Sequence, residues 1–118
     1  MHGNVEGKDK IGVKPGWRVS AIGRVDQHFL DEIGRAVASL SIGRVLKSSD
    51  AIFLGATKDA DLRRLATLKS SLKPVGALWV IRPKGRPEVS EKSVMAAGKA
   101  AGLVNPHILE FLHAQFAI

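Results

Sequence analysis

The amino-acid sequence predicts an open, mainly parallel three-layer α/β sandwich, and two short runs carry that prediction. Ala51-Ile52-Phe53-Leu54-Gly55-Ala56 and Ala77-Leu78-Trp79-Val80-Ile81 are apolar without alternation and too short for typical helices. Such runs belong to strands covered on both faces, as in parallel sheets. Around them, apolar residues recur at three- and four-residue steps, so strands alternate with helical connections long enough for crossovers. At 118 residues the chain suits one core, and one domain is expected over 1–118, with 1–12 a loose N-terminal segment.

Taken in order, Pro15-Gly16 is a turn signal before a first strand, Trp17 to Gly23. From His28 to Leu40, Phe29, Leu30, Ile33, Val37 and Leu40 form one helical stripe, which Gly34 weakens at a cost of about 1 kcal/mol relative to Ala. A short strand is expected from Ile42 to Lys47. The run Asp50 to Thr57 is a central strand, after which Thr57 or Asp59 is expected to cap a helix in which Leu62, Leu65, Leu68 or Lys69, and Leu72 fall at helical spacing, with Arg63 and Arg64 outward. Lys73-Pro74 is read as its stop, before the strand Ala77 to Ile81. Ser90 is a plausible N-cap for a helix with Val94, Ala97 and Ala101 on one side and Gly102 at its end. The tail is β-favouring, with Pro106 at a strand start or edge and an antiparallel pair formed by His107 to Phe111 and Ala114 to Ile118.

Composition narrows the chemistry. With no cysteine, disulfides, thiolate zinc sites, iron–sulfur clusters and a cysteine nucleophile are excluded. No segment approaches the roughly 20 apolar residues that span a bilayer, so no membrane association is expected. Met1 to Lys10 lacks the apolar core of a secretory signal, and the expected location is the cytoplasm. A net charge of +7 favours anionic partners, although the same excess also serves solubility.

Three stretches, in this order, resemble the Rossmann-like fold of S-adenosylmethionine-dependent methyltransferases. Val13-Lys14-Pro15-Gly16-Trp17-Arg18-Val19-Ser20-Ala21-Ile22-Gly23 resembles the first strand with its leading Lys-Pro-Gly. Asp50-Ala51-Ile52-Phe53-Leu54 is similar to the acidic-then-apolar strand across the cofactor cleft. Leu72-Lys73-Pro74-Val75-Gly76-Ala77-Leu78-Trp79-Val80 is similar to the Leu-Lys-Pro-Gly-Gly approach to the next strand. From about Lys10 to Ile118 the chain also resembles a family of small bacterial proteins known only as a domain of unknown function. The shared layout is Lys14-Pro15-Gly16, then Ala77-Leu78-Trp79-Val80 with Pro83-Lys84, then Ala100-Ala101-Gly102-Leu103-Val104. The resemblance implies a three-layer Rossmann-like sandwich whose mainly parallel sheet has about five or six strands and a C-terminal antiparallel edge. A methyltransferase of this type would have Gly-x-Gly after its first strand, where this chain has Gly23-Arg24-Val25-Asp26. Fold is therefore carried over and activity is not. No cofactor is expected, S-adenosylmethionine entering only if the domain is an active methyltransferase.

In open α/β sheets ligands bind outside the carboxyl ends of the strands. That rule selects Arg24 and Asp26 after the first strand, Thr57, Lys58 and Asp59 after the second apolar run, and Arg82, Lys84 and Arg86 after the third. The cations Arg24, Lys58, Arg82, Lys84 and Arg86 form a candidate anion site suited to phosphate or carboxylate. His28 and Glu32 face the same way on a helix but lack a third ligand, and His107 and His113 read as surface or capping residues, so no metal is expected. None of the serines lies in Gly-x-Ser-x-Gly, and Asp59 and Asp61 read as helix N-terminal charges, so no catalytic residue is assigned. Few aromatics are left for base stacking and the basic residues look dispersed along the chain, so nucleic-acid binding is expected to be weak at most. The leading expectation is a non-catalytic methyltransferase-like domain that binds a small anionic ligand or a protein partner at the strand C-terminal rim. The alternatives are an active methyltransferase and a weak nucleic-acid-binding protein.

Overall fold

The structure, a computed structural model, describes residues 14–81, 90–107 and 114–117. Strands β1 (Arg18–Gly23), β2 (Ser39–Ile42), β3 (Ser49–Gly55) and β4 (Leu72–Ile81) form a parallel block in the order β2-β1-β3-β4. Helix α1 (Gln27–Ala36) connects β1 to β2, and two short helices, α2 (Asp59–Leu62) and α3 (Leu65–Lys69), connect β3 to β4. Helix α4 (Glu91–Ala100) follows β4. Beyond β4 the sheet continues with β6 (Ala114–Ala117), antiparallel to β4, and then β5 (Val104–His107), antiparallel to β6. Among the described residues no helix is long and apolar enough to cross a membrane.

Strand alternation sorts the core into two layers. Val19, Ala21, Ala51, Phe53 and Trp79 point to the α1 side, where Phe29, Leu30 and Ile33 meet them. Ile22, Ile52, Leu54, Leu78 and Val80 point to the other side, against Leu62, Leu65 and Leu68 of α2 and α3 and Val94 of α4. In β3 both faces are fully buried, which is why its apolar run does not alternate. Aromatic contacts order the α1 layer: Phe53 stacks near Trp79, with centroids 6.4 Å apart, and meets Phe29 in a T-shaped pair at 5.1 Å.

Several boundaries differ from the sequence expectation. Helix α1 stops at Ala36, because Val37 is extended and the Ser39 N–H donates to Trp17 O at 3.2 Å. Leu40 consequently leaves the helical stripe for strand β2, and the expected strand at Ile42 to Lys47 is instead Ser39–Ile42. Pairing with β1 outweighs a helical pattern already weakened by Gly34. Lys73-Pro74 does not end a helix but lies inside β4. The register shifts there, from Ser49 opposite Leu72 to Ala51 opposite Ala77, and the irregularity accommodates a proline that cannot donate to the ladder. Val75, 92% exposed, projects from the same irregular stretch. In the tail the first strand is Val104–His107, upstream of the expected His107 to Phe111, of which 108–111 lie outside the described residues. Helix α4 matches its expected bounds, with Ser90 accepting from Ser93 N at 3.0 Å and Gly102 at φ +85° just past its end.

The amino end of the sheet is held by polar contacts. Asp50 accepts from Arg18 N at 2.8 Å and pairs with Lys73 Nζ at 3.0 Å. Burial opposes the Asp50 charge, but these donors outweigh it and hold the carboxyl below its ordinary value. The hydroxyls of Ser20 and Ser49, both fully buried, lie 2.9 Å apart. Ser20 Oγ accepts from Leu46 N at 2.8 Å and Ser49 Oγ donates to Leu46 O at 2.5 Å, which closes a ring that fastens the β2–β3 connection to β1. Ser20→Ala is expected to cost about 1–3 kcal/mol by leaving the Leu46 N–H without an acceptor. Urea unfolding checks this, and a change well under 1 kcal/mol would mean that water replaces the hydroxyl.

Candidate functional site

The order β2-β1-β3-β4 contains one reversal. From β1 the chain passes through α1 to β2 on one side, whereas from β3 it passes through α2 and α3 to β4 on the other. The helices leaving the adjacent strands β1 and β3 thus cover opposite faces of the sheet. A reversal of this kind opens a crevice at the strand carboxyl ends, the usual ligand position in open α/β sheets.

Glycines from both strands meet at this crevice. Gly23 pairs with Gly55 in register. Gly23 has φ +82°, and a Cβ there would overlap Gly55 O. A Cβ on Gly55 would in turn overlap the carbonyl oxygen of Arg24 and lie 2.8 Å from its nitrogen. The two glycines therefore let the chain leaving β1 cross directly over the end of β3. Val25 then turns its half-buried side chain into the α1-side core, and Asp26 caps α1 by accepting from Phe29 N at 3.0 Å.

Across the crevice, the Asp61 carboxylate of α2 reaches back to the loop. It accepts from Thr57 N at 2.9 Å, Thr57 Oγ1 at 3.2 Å and Lys58 N at 3.3 Å. The Thr57 backbone donor, opposed by burial and aided by the other bonds, holds the Asp61 carboxyl below its ordinary value. Neither Thr57 nor Asp59 caps α2 as expected. Lys58 occupies the N-cap position, and its backbone N–H is accepted by Asp61 from inside the helix. The Ala56 N–H donates to Ile81 O at 2.8 Å, which ties the end of β3 to the end of β4.

Of the sequence-selected cations, Arg24 and Lys58 are placed on the two loops that flank the reversal, both exposed and neither in an ion pair among the described residues. Arg82, Lys84 and Arg86 lie outside the described residues. Glu32 accepts from Arg35 at 2.7 Å, so it is engaged in an ion pair, and among the described residues no three His, Asp or Glu side chains gather as metal ligands would. Sequence reasoning did not single out Gly55, and it read Asp61 as a helix N-terminal charge without its bonds to the Thr57-Lys58 loop. A glycine ending an apolar strand was the visible signal for the first, and Asp61 is indistinguishable in sequence from a simple first-turn acid.

No family model and no curated protein matches the chain. Its fold is similar to that of a solved S-adenosylmethionine-dependent O-methyltransferase from Thermotoga maritima. The TM-score is 0.68, with 13% identity over 90% of this chain and 52% of that one. The structure of the 4+2 cyclase SpnF is also similar, with a TM-score of 0.51 and 13% identity over 90% of this chain and 58% of the other. The chain spans little more than half the length of these structures. It is a methyltransferase-like α/β domain in fold, and one fold that includes an O-methyltransferase and a cyclase does not by itself assign an activity.

Two outcomes test this geometry. Gly55→Ala is expected to cost about 3 kcal/mol or to prevent folding, because the new methyl overlaps the Arg24 backbone. Expression at parental yield with an unchanged unfolding midpoint would contradict the crossing. Folding lowers the Asp61 pKa from its ordinary value of 3.8, so its charge stabilises fully above that value and ceases to do so as pH falls through the folded value. Asp61→Asn should be less stable than the parent at neutral pH, by about 1 kcal/mol, and the difference should close between about pH 5 and pH 2. A constant difference across that range would show that the charge is not what holds the loop.

Proposed function

We propose that the chain is a non-catalytic, methyltransferase-like domain that binds a small anionic ligand at the strand C-terminal rim. The observation that carries this reading is the crossing at Gly55. Where a nucleotide-type cofactor requires glycine backbone to approach it, the Arg24 main chain lies against the end of β3 and Val25 packs into the core. The carboxylates of the same rim, Asp26 and Asp61, are committed to caps and loop bonds. Arg24 and Lys58 are left free of ion pairs among the described residues, and Arg82, Lys84 and Arg86, which follow β4 in sequence, join them in this reading. In the same reading the domain belongs with the small bacterial proteins that share its Lys-Pro-Gly and Ala-Leu-Trp-Val layout, its sheet completed by the antiparallel C-terminal strands.

The similarity to the O-methyltransferase supports a second reading, an active S-adenosylmethionine-dependent enzyme. Calorimetric titration with S-adenosylmethionine and S-adenosylhomocysteine separates the two. The first reading predicts no heat of binding from either, and micromolar affinity for either would replace it with the second. Inorganic phosphate at 100 times Kd is expected to raise the unfolding temperature of the parent by about 10 degrees, following a mass-action stabilisation of about 2.7 kcal/mol. The double variant Arg24→Ala, Lys58→Ala should fold normally and lose that shift. A retained shift places the anion elsewhere.

A further inference from the structure

The basic residues that look dispersed along the sequence are gathered by the fold. Helices α2, α3 and α4 pack on one another and on one core cluster, so they form a single outer layer. Between Lys58 and Lys69, and on α4, the residues of this layer include six cations, Lys58, Arg63, Arg64, Lys69, Lys92 and Lys99, and three acids in sequence, Asp59, Asp61 and Glu91. Asp61 is occupied by the Thr57-Lys58 loop. Lys69 is half-buried with its Nζ beside Gly102, at the carbonyl end of α4, where a cation is favourable. The remaining five cations are exposed, and none forms an ion pair among the described residues. The opposite layer has the reverse balance: from Arg24 to Ala36 it carries Arg24 and Arg35 against Asp26, Asp31 and Glu32, with Arg35 paired to Glu32.

We propose that the outer face of α2, α3 and α4 binds the phosphate backbone of double-stranded nucleic acid. Lys92 and Lys99 lie two turns apart on one side of α4, about 10 Å along its axis, with the exposed Ala96 between them. Arg63 and Arg64 lie exposed between α2 and α3, which both pack on α4, so exposed cations sit on neighbouring elements of one layer. A duplex presents one charge per ~1.7 Å of axis, and spaced cations of this kind gain affinity by releasing its counterions. The described side chains of Trp17, Phe29, Phe53 and Trp79 are all buried or half-buried. They offer no stacking platform for unpaired bases, which favours a duplex over a single strand. Lys58 belongs both to this surface and to the rim proposed for the small anion.

Fluorescence anisotropy with labelled duplexes of about 20 base pairs and mixed sequence, one of DNA and one of RNA, tests the assignment. Both duplexes should bind within a few-fold of each other, with log affinity falling against log salt at a slope of about −3.6 for four phosphate contacts. Arg63→Ala with Arg64→Ala, and separately Lys92→Ala with Lys99→Ala, should each weaken binding about ten-fold and reduce the slope by about 2. All four residues are exposed, so thermal unfolding of both variants should match the parent. Arg44→Ala with Lys47→Ala, exposed on the β2–β3 connection, should leave affinity and slope as they are. The proposal is overturned by absent duplex binding at low salt, by tighter binding to single strands than to duplexes, or by an Arg44, Lys47 variant as impaired as the helix variants.

Discussion

Strand β3 has no exposed face, and most of the architecture follows from that constraint. Ala51 and Phe53 face one layer while Ile52 and Leu54 face the other, and all four are fully buried. Burying a side chain of the size of Leu, Ile or Phe stabilises by about 1.5–3 kcal/mol, so neither face of this strand can be left to water. A helical layer is therefore needed on each side. The chain supplies them by sending α1 to one face and α2, α3 and α4 to the other, and that division creates the reversal between β1 and β3.

The two ends of the central strands are held in different ways. At the amino end, Arg18, Asp50 and Lys73 and the buried Ser20-Ser49 pair join the starts of β1, β3 and β4 through polar contacts. At the carboxyl end there are few side chains to join, because Gly23 and Gly55 bring backbone against backbone. This close approach sets the Arg24 main chain against the end of β3, and the side chains of Arg24 and Lys58 are exposed on the flanking loops.

Electrostatics separates the two helical layers further. A fold similar to those of an O-methyltransferase and a cyclase carries here a near-neutral α1 face and a basic α2–α4 face. The packing does not account for this charge difference: the α1 layer buries Phe29, Phe53 and Trp79 beside aliphatic side chains, the other layer aliphatic side chains, and neither core calls for surface cations. The helices themselves do not require it either: α2 and α3 are short, and their exposed arginines make no intrahelical pairs among the described residues. Surface charge of this kind bears on partners more than on fold.

The amino-acid sequence by itself determined the class of the domain and the identity of its central strands. Continuous apolar runs and helical periodicity are local patterns, and in β3, β4 and α4 local preference agrees with the final structure. Boundaries set by competition were not legible. Leu40 fits a helix as well as a strand, and only pairing with β1 assigned it to β2; Pro74 resembles a stop until the bulge in β4 accommodates it. Of the candidate site, Arg24 and Lys58 could be selected from the rule about strand ends. That their loops flank one reversal and that Arg24 crosses Gly55 were decided by tertiary structure alone. These relations join residues tens of positions apart, which are brought together only by strand order and the close approach of two backbones.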